Sequence, residues 1–378
     1  MRARRAGRTV LPWAPEILAR MSETEIPELL DELLRVPAPS GYETPAAEVW
    51  REAAAEFGDV ESDVLGSSIV KVGTGEGRLT VAVVGHIDEI GLFVSHIDDD
   101  GFLWFGPIGG WDPQNLVGQR VIVRGSGGGE EAEVHGVIGK KPIHLLEPDD
   151  RKKPSEIKHM HIDIGAKDKE DAEKRVCVGD PAVLDAEPLP LPNNRVASRS
   201  MDNRLGSYIA FEVAKRIAAG DAVDVGVVGC AVSQEEIGLF GSSTTGFSLN
   251  PDVAIAVDVT HATDAPGIDK KENGDHALGS GAVIARGSTL GPRVYELLRE
   301  AAEAEGIDHT FEASGRYTGT DADSLQIARG GIATGLVSIP LRYMHSTVEV
   351  CQLDDVEACI EVICAFIRRL DPGEDFRR

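Results

Sequence analysis

The run Ser233-Gln-Glu-Glu-Ile-Gly-Leu239 follows an apolar stretch and brings two adjacent carboxylates, Glu235 and Glu236, to the place where a strand should end. Sites in α/β sheets collect at such strand ends. Two glutamates in a partly buried position repel each other and need a cation or a proton to remain there. Consecutive side chains on an extended backbone point apart, so one carboxylate can ligate a metal while the other faces substrate as a general base. The competing reading is a solvated acidic loop, against which the apolar flanks Val232 and Leu239 argue.

Further candidate ligands stand at the ends of other β-type runs. His86 and Asp88 lie in Gly85-His-Ile-Asp-Glu-Ile-Gly91, after Val81 to Val84. Residues i and i+2 of an extended segment share a face, so Asp88 can sit beside the imidazole and fix its tautomer. Asp202 precedes a helical pattern and reads either as an N-cap or as a carboxylate bridging two cations, with Asn203 or Ser200 free to cap in the second case. Asp258 ends the apolar run Ala254 to Val257, which predicts a central parallel strand buried on both faces. A lone carboxylate there is costly unless paired or metal-bound. His345 follows Ile339 to Met344 and by itself reads equally as a satisfied core histidine. Taken together these positions supply two histidines, three carboxylates and a spare glutamate, the inventory of a two-metal hydrolase. No cysteine joins them, which suits a pair of divalent Zn, Co or Mn ions rather than a structural zinc.

The elements that must position these residues form two α/β blocks around an insert. From Met21 to about residue 90 the pattern predicts a helix, a second helix over Pro45 to Phe57, and strands at 68–71 and 80–84. The second block resumes near Pro181, with helices over 202–219, 293–306 and 322–329 and strands over 224–232, 253–259 and 334–339. In the last helix Val356, Ile360, Ile363, Ile367 and Leu370 form one apolar stripe. Residues 91–182 change to short β runs at 92–95, 102–105, 120–124 and 134–138 between glycine-rich turns, the pattern of a small barrel or sandwich. The loop Gly125 to Glu131 lacks the lysine-serine and helix start of a phosphate cradle and reads as a hairpin turn.

With 378 residues, the chain is long enough for two domains. A formal net charge of -25 argues against a nucleic-acid partner, which requires a basic footprint. No apolar run approaches the length of a membrane span. Five cysteines, an odd number without CxxC spacing and set in apolar runs, predict buried reduced thiols in a cytoplasmic protein. Residues 1–20 are arginine-rich and lack the apolar core of a secretory signal. Ser22 and Glu25 fit a capping box for a helix with Ile26, Leu29, Leu30 and Leu33 on one face, so Met21 is expected to be the true start, with 1–20 disordered or translated from an upstream codon.

The motifs His-Ile-Asp-Glu-Ile-Gly at 86–91, Met-Asp-Asn-Arg at 201–204, Gln-Glu-Glu-Ile-Gly at 234–238, Val-Asp-Val at 257–259 and Arg-Tyr-Met-His-Ser at 342–346 resemble metallopeptidase family 42. These are the dinuclear aminopeptidases of tetrahedral particles, also described as endoglucanase-like. The insert matches through 139–144 and 162–166. The resemblance implies an α/β fold, zinc-exopeptidase-like, with a mixed central sheet flanked by helices over 21–90 and 183–378 and a small β-barrel inserted at 91–182 for oligomerisation. It implies one metal on His86, Asp202 and Asp258, a second on Asp202, Glu236 and His345, Glu235 as general base and Asp88 as the partner of His86. The expected activity is removal of N-terminal residues from short peptides, through a water bridged between the two divalent metals. The expected assembly is a homo-oligomer, with a dodecamer as the candidate form. Tyr317 to Ala322 resembles the family's Gly-Thr-Asp-Ala pocket motif and makes Thr320 and Asp321 candidate substrate-binding residues, against a plain turn and helix cap. The alternatives are a related dinuclear deacylase and a glycoside hydrolase. Adjacent glutamates cannot flank a sugar, and an aromatic content of 5% leaves few stacking platforms.

Overall fold

The computed structural model describes residues 24–128, 132–220 and 223–378. The first block carries β1 (Asp59–Ser62), β2 (Ser68–Val72) and β3 (Thr80–His86). The insert carries β4 (Gly91–Ile97), β5 (Leu103–Ile108), β6 (Arg120–Gly125), β7 (Ala132–Lys140), β8 (Met160–Asp163) and β9 (Pro181–Leu184). The second block adds β10 (Leu189–Leu191), β11 (Arg195–Ser198), β12 (Gly226–Val232), β13 (Val253–His261), β14 (Ala282–Gly287), β15 (His309–Ser314), β16 (Ala333–Leu341) and β17 (Glu349–Gln352).

Eight strands form one sheet in the order β1-β2-β12-β3-β13-β16-β14-β15. The centre, β12-β3-β13-β16, is parallel, while β2 against β12 and β14 against β16 are antiparallel, so the sheet is mixed as expected. Alternate residues of the central strands feed opposite faces: Val81, Val83, Ile255 and Val257 pack with the helices Glu28–Arg35, Met201–Ala219, Pro292–Glu305 and Leu353–Arg369. Ala82, Val84, Ala254 and Ala256 pack with Ala322, Leu325 and Ile332 on the other side. Burial on both faces is why these strands read as unbroken apolar runs. The stripe of the last helix is buried along its whole length, from Val356 to Leu370.

The insert closes into a six-stranded barrel, β4-β5-β8-β7-β6-β9, over its own core of Leu92, Val94, Leu103, Val121, Val123 and Ile162. Gly125 pairs with Ala132 across the β6–β7 hairpin, so the glycine-rich loop is a hairpin turn, with 129–131 outside the described residues.

Several expectations shift. Among the described residues the first helix spans Glu28–Arg35, and Pro27, without a side-chain cap, occupies the position before it. Residues 24–27 are not helical, as proline disfavours a helical residue before it, so Glu25 and Ile26 stand outside this helix. Ser22 and the predicted extension over 1–20 lie outside the described residues. The helix expected over 322–329 is regular only over Ala322–Leu325. Strands β14 and β15 lie outside the strands expected from sequence: β15 is an edge strand with no buried residue, while β14 lies inside the sheet with only the four-residue buried run 282–285. Cys230, Cys351, Cys359 and Cys364 are buried, but Cys177 is exposed in the turn before β9, where its amide donates to Asp180. Among the described residues no helix is long and apolar enough to cross a membrane.

Candidate metal centre

His86 is the last residue of β3 and is 1% exposed, so the sheet delivers its ring into the interior at the carboxyl end of the strand. Its Nδ1 lies 3.1 Å from the backbone carbonyl of Asp88 and 3.4 Å from the Asp88 carboxylate. The backbone oxygen therefore shares the orienting role expected of the carboxylate alone. Asp88 takes a second task, for its oxygens accept from the amides of Glu235 (3.1 Å) and Glu236 (3.2 Å) and from the Ser40 hydroxyl. It ties the turn after β12 to the end of β3.

Asp202 sits inside the element Met201–Ala219 but with non-helical torsions, as does Asn203. Asn203 Oδ1 accepts from the Gly206 amide at 2.8 Å, so Asn203 caps the regular helix and Asp202 is released from that duty. The two Asp202 oxygens then face different imidazoles: Oδ1 is 3.2 Å from His86 Nε2, and Oδ2 is 3.2 Å from His345 Nε2. Asn203 also donates to the Val257 carbonyl at 2.8 Å, next to Asp258. Asp258 lies within β13, three residues before its end, because the pairing of β13 with β16 continues to His261. It faces the site where pairing with β3, which stops at Ala256, has already ended.

Glu235 and Glu236 occupy the turn after β12, and Gln234 before them has a left-handed φ of 56°. Glu235 reaches within 3.7 Å of His86 Nε2 and Glu236 within 3.5 Å of His345 Nε2, so the neighbours serve different rings. His345, in the loop after β16, is held by its own amide on Glu349 (2.9 Å) and by Nδ1 on the Gly110 carbonyl (2.8 Å).

The charge of this cluster is not balanced within the chain. Burial pushes the Glu235 carboxyl up to about 10, with neighbouring Asp321 and Asp258 adding to the rise against His86. Burial also drives Glu236 and Asp258 well upward, with Asp202 adding to both. The Asp202 carboxyl moves down despite its burial, because both histidines hydrogen-bond it. His345 moves up, chiefly through Asp202, and His86 moves well up because the surrounding carboxylates outweigh its desolvation. Glu236 Oε1 is buried without a hydrogen-bond partner. A neutral set of this composition would need protonated acids, whereas divalent cations would satisfy the oxygen and nitrogen donors together. His86, Asp202 and Glu236 offer donor atoms within 4.8 Å of one another, and so do His86, Glu235 and Asp258. The residues therefore fit a divalent cation.

Three participants escaped sequence reasoning. Glu349 accepts from the amides of Met201, Asp202 and His345 and so fixes both sides of the site. Its signal was a carboxylate between Val348 and Val350. Glu43 accepts from the Gln234 amide at 3.0 Å, and burial, with Asp88 beside it, raises it to about 7. Gly110 acts through a backbone carbonyl, which leaves no trace in residue type.

A cavity of about 700 Å³ opens beside these groups, with His86, Asp202, Glu235, Glu236, Asp258 and His345 along it. Thr320 also lines it. Asp321, 1% exposed, lies behind that wall, and burial raises it to about 6. A larger cavity, about 850 Å³, sits at the opposite ends of the parallel strands near Leu79, Asp252 and Ala333 and contains none of the candidate ligands.

The family model described as M42 glutamyl aminopeptidase matches residues 66–362. A lysyl aminopeptidase of Pyrococcus furiosus is 34% identical over 91% of this chain and 97% of its own. The crystal structure of a TET aminopeptidase from a marine sediment Thaumarchaeota archaeon superposes with a TM-score of 0.85 at 35% identity, covering 91% of this chain and 96% of that one. The TET1 peptidase of Pyrococcus horikoshii, described as assembling into a tetrahedron or a large octahedral shell, gives a TM-score of 0.80 at 31% identity over 91% and 99%.

Proposed function

The chain belongs to the M42 glutamyl aminopeptidase family and is an aminopeptidase; from that premise we propose that it removes N-terminal residues from short peptides with Glu235 as general base at a two-metal centre. One ion would be held by His86, Asp202 and Asp258, the other by Asp202, Glu236 and His345. The observation that carries this reading is the division of Asp202 between the two imidazoles, one oxygen to each ring at 3.2 Å. When bound, a pair of divalent ions supplies Lewis acidity and brings the pKa of a water toward neutrality.

The remaining chemistry belongs to the chain. Glu235, on the cavity wall, takes the proton of the attacking water and returns it to the departing amine. Asp88 holds the amides of Glu235 and Glu236, which keeps base and ligand in register, and Glu349 does the same for Asp202 and His345. Thr320, on the far wall, contacts substrate, while Asp321 supports that wall from behind.

The test uses metal-stripped protein reconstituted with Zn, Co or Mn and peptides offered free and N-acetylated. Cleavage limited to free amino termini, lost in Glu235→Gln while metal content is retained, supports the assignment. Loss of metal in that variant makes Glu235 a ligand instead, in keeping with its place beside His86 and Asp258. Cleavage of the acetylated set moves the reaction to a deacylase.

We further propose a homo-oligomer, a dodecamer by analogy with the tetrahedral relatives, built through the barrel domain over 91–182. Exposed Phe93, Val137, Ile143 and Leu145 on that insert support it. Light scattering on the purified chain gives the stoichiometry, and a monomer refutes it. Unpaired cysteines support a reducing, cytoplasmic location.

A further inference from the structure

Beyond the candidate ligands, the cavity contains one more carboxylate. Glu312 lies on β15 opposite Ala285 of β14, and the wall around it is small or apolar, with Ala285, Leu336 and Ser338 all nearly fully buried. Among the described residues its one hydrogen-bond partner is the Thr260 hydroxyl, 3.2 Å from Oε1. No hydrogen bond from the described residues reaches the other oxygen of this cavity-lining side chain. Burial raises this carboxyl above its usual range, with the Thr260 bond opposing, so the group lacks a counter-charge.

We propose that Glu312 makes this cavity selective for a basic N-terminal side chain, lysyl or arginyl, an inference that rests on the aminopeptidase reading above. Thr260 lies two residues beyond Asp258 on β13 and on the same face. Two residues of strand span about 6.6 Å, the reach of the four-carbon stem that carries a lysine ammonium. A peptide whose free amine and first carbonyl sit at the histidine–carboxylate cluster can therefore place a cationic head beside Glu312. The resulting charge-assisted hydrogen bond completes a carboxylate that is otherwise desolvated with one partner.

The competing choices fit less well. An apolar side chain in the same space would strip the remaining water from Glu312 and give it nothing in return. An acidic side chain would meet like charge at the inner wall. Arg316, the other charged residue beside the cavity outside the metal cluster apart from His261, is exposed and lies with its guanidinium 5.1 Å from the Tyr317 ring centroid, so it belongs to the rim.

The experiment compares kcat/KM for a series of dipeptides differing only in the N-terminal residue (lysyl, arginyl, leucyl, glutamyl) in the wild type, Glu312→Gln and Glu312→Lys. The wild type should prefer the basic pair. In Glu312→Gln the lysyl-to-leucyl ratio should fall by about 30-fold or more, the lower range for losing one partner of a buried charge pair. Glu312→Lys should favour the glutamyl peptide, and unchanged assembly and melting temperature in both variants confirm folding. A wild type that prefers leucyl or glutamyl peptides, or a ratio unchanged in Glu312→Gln, overturns the role of Glu312 and leaves the aminopeptidase standing. Failure of the wild type to cleave any free amino terminus overturns both.

Discussion

Asp88 and Glu89 are neighbours in the chain and both are buried, yet they serve clusters of opposite character. Glu89 is met by the guanidiniums of Arg199 and Arg204 and by the Ala38 amide. Arg204 is wholly buried, its Nη groups donate to the carbonyls of Leu33, Val36 and Ala38 while its Nε has no partner, and desolvation brings its pKa down to about 10. This cluster gives its carboxylate two cationic partners and pins the helix Glu28–Arg35 to the sheet. A few residues away, Asp202, Glu235, Glu236 and Asp258 share only two histidines. The same two motifs feed both, 86–91 giving His86 and Glu89, and 201–204 giving Asp202 and Arg204. Burial alone therefore does not mark a functional charge. The mark is burial without a protein counter-charge, since a closed ion pair is complete and an open one calls for something from outside.

That contrast can be tested from each side. The largest effect should come from Glu89→Ala, which strands two guanidiniums and should lower unfolding free energy by about 3–5 kcal/mol, measured by denaturant titration of the metal-loaded protein. A loss below 1 kcal/mol would remove the distinction. Asp88→Asn touches the other cluster through two amides and one imidazole. It should weaken metal binding by roughly 10–100-fold, read by competition with a chelator, with a smaller change in stability than Glu89→Ala.

The mildest test is pH. Without metal, Glu235 holds its proton to about 10 when folded against 4.5 ordinarily, so the folded state binds more protons than the unfolded state between those values. His86 and His345, both raised, act in the same sense. The stability that these raised groups contribute to the metal-stripped protein should therefore fall as pH rises through this window. Metal loading should flatten the slope. A melting temperature of the stripped protein that rises from pH 5 to 9 would contradict an uncompensated acid cluster.

The open cluster was legible in the sequence because ligands need particular side chains, and His86, Asp202, Glu235, Glu236, Asp258 and His345 all converge at one end of the sheet. The central strands were legible for a related reason, since two buried faces leave an unbroken apolar run. What could not be read was whatever acts through main chain or through a half-buried edge. Glu349 and Gly110 work on or through backbone groups, and β15, which carries Glu312, has no buried residue to set a pattern. Glu89 and Arg204 were visible as motif residues, but their role was hidden because a closed pair and a ligand look alike in one dimension.

The Gly110 carbonyl belongs to the loop that leaves β5 of the barrel, and it alone fixes Nδ1 of His345 at 2.8 Å. One imidazole of the centre is thus set by the inserted domain rather than by the sheet. Ion affinity and the packing of the insert are then thermodynamically linked, and linkage is reciprocal. In the proposed assembly, any subunit contact that steadied this loop would strengthen the hold on a bound ion, and the ion in turn would favour the assembled state by the same factor. Assembly and ion binding would then share one free-energy term, passed through a single main-chain oxygen.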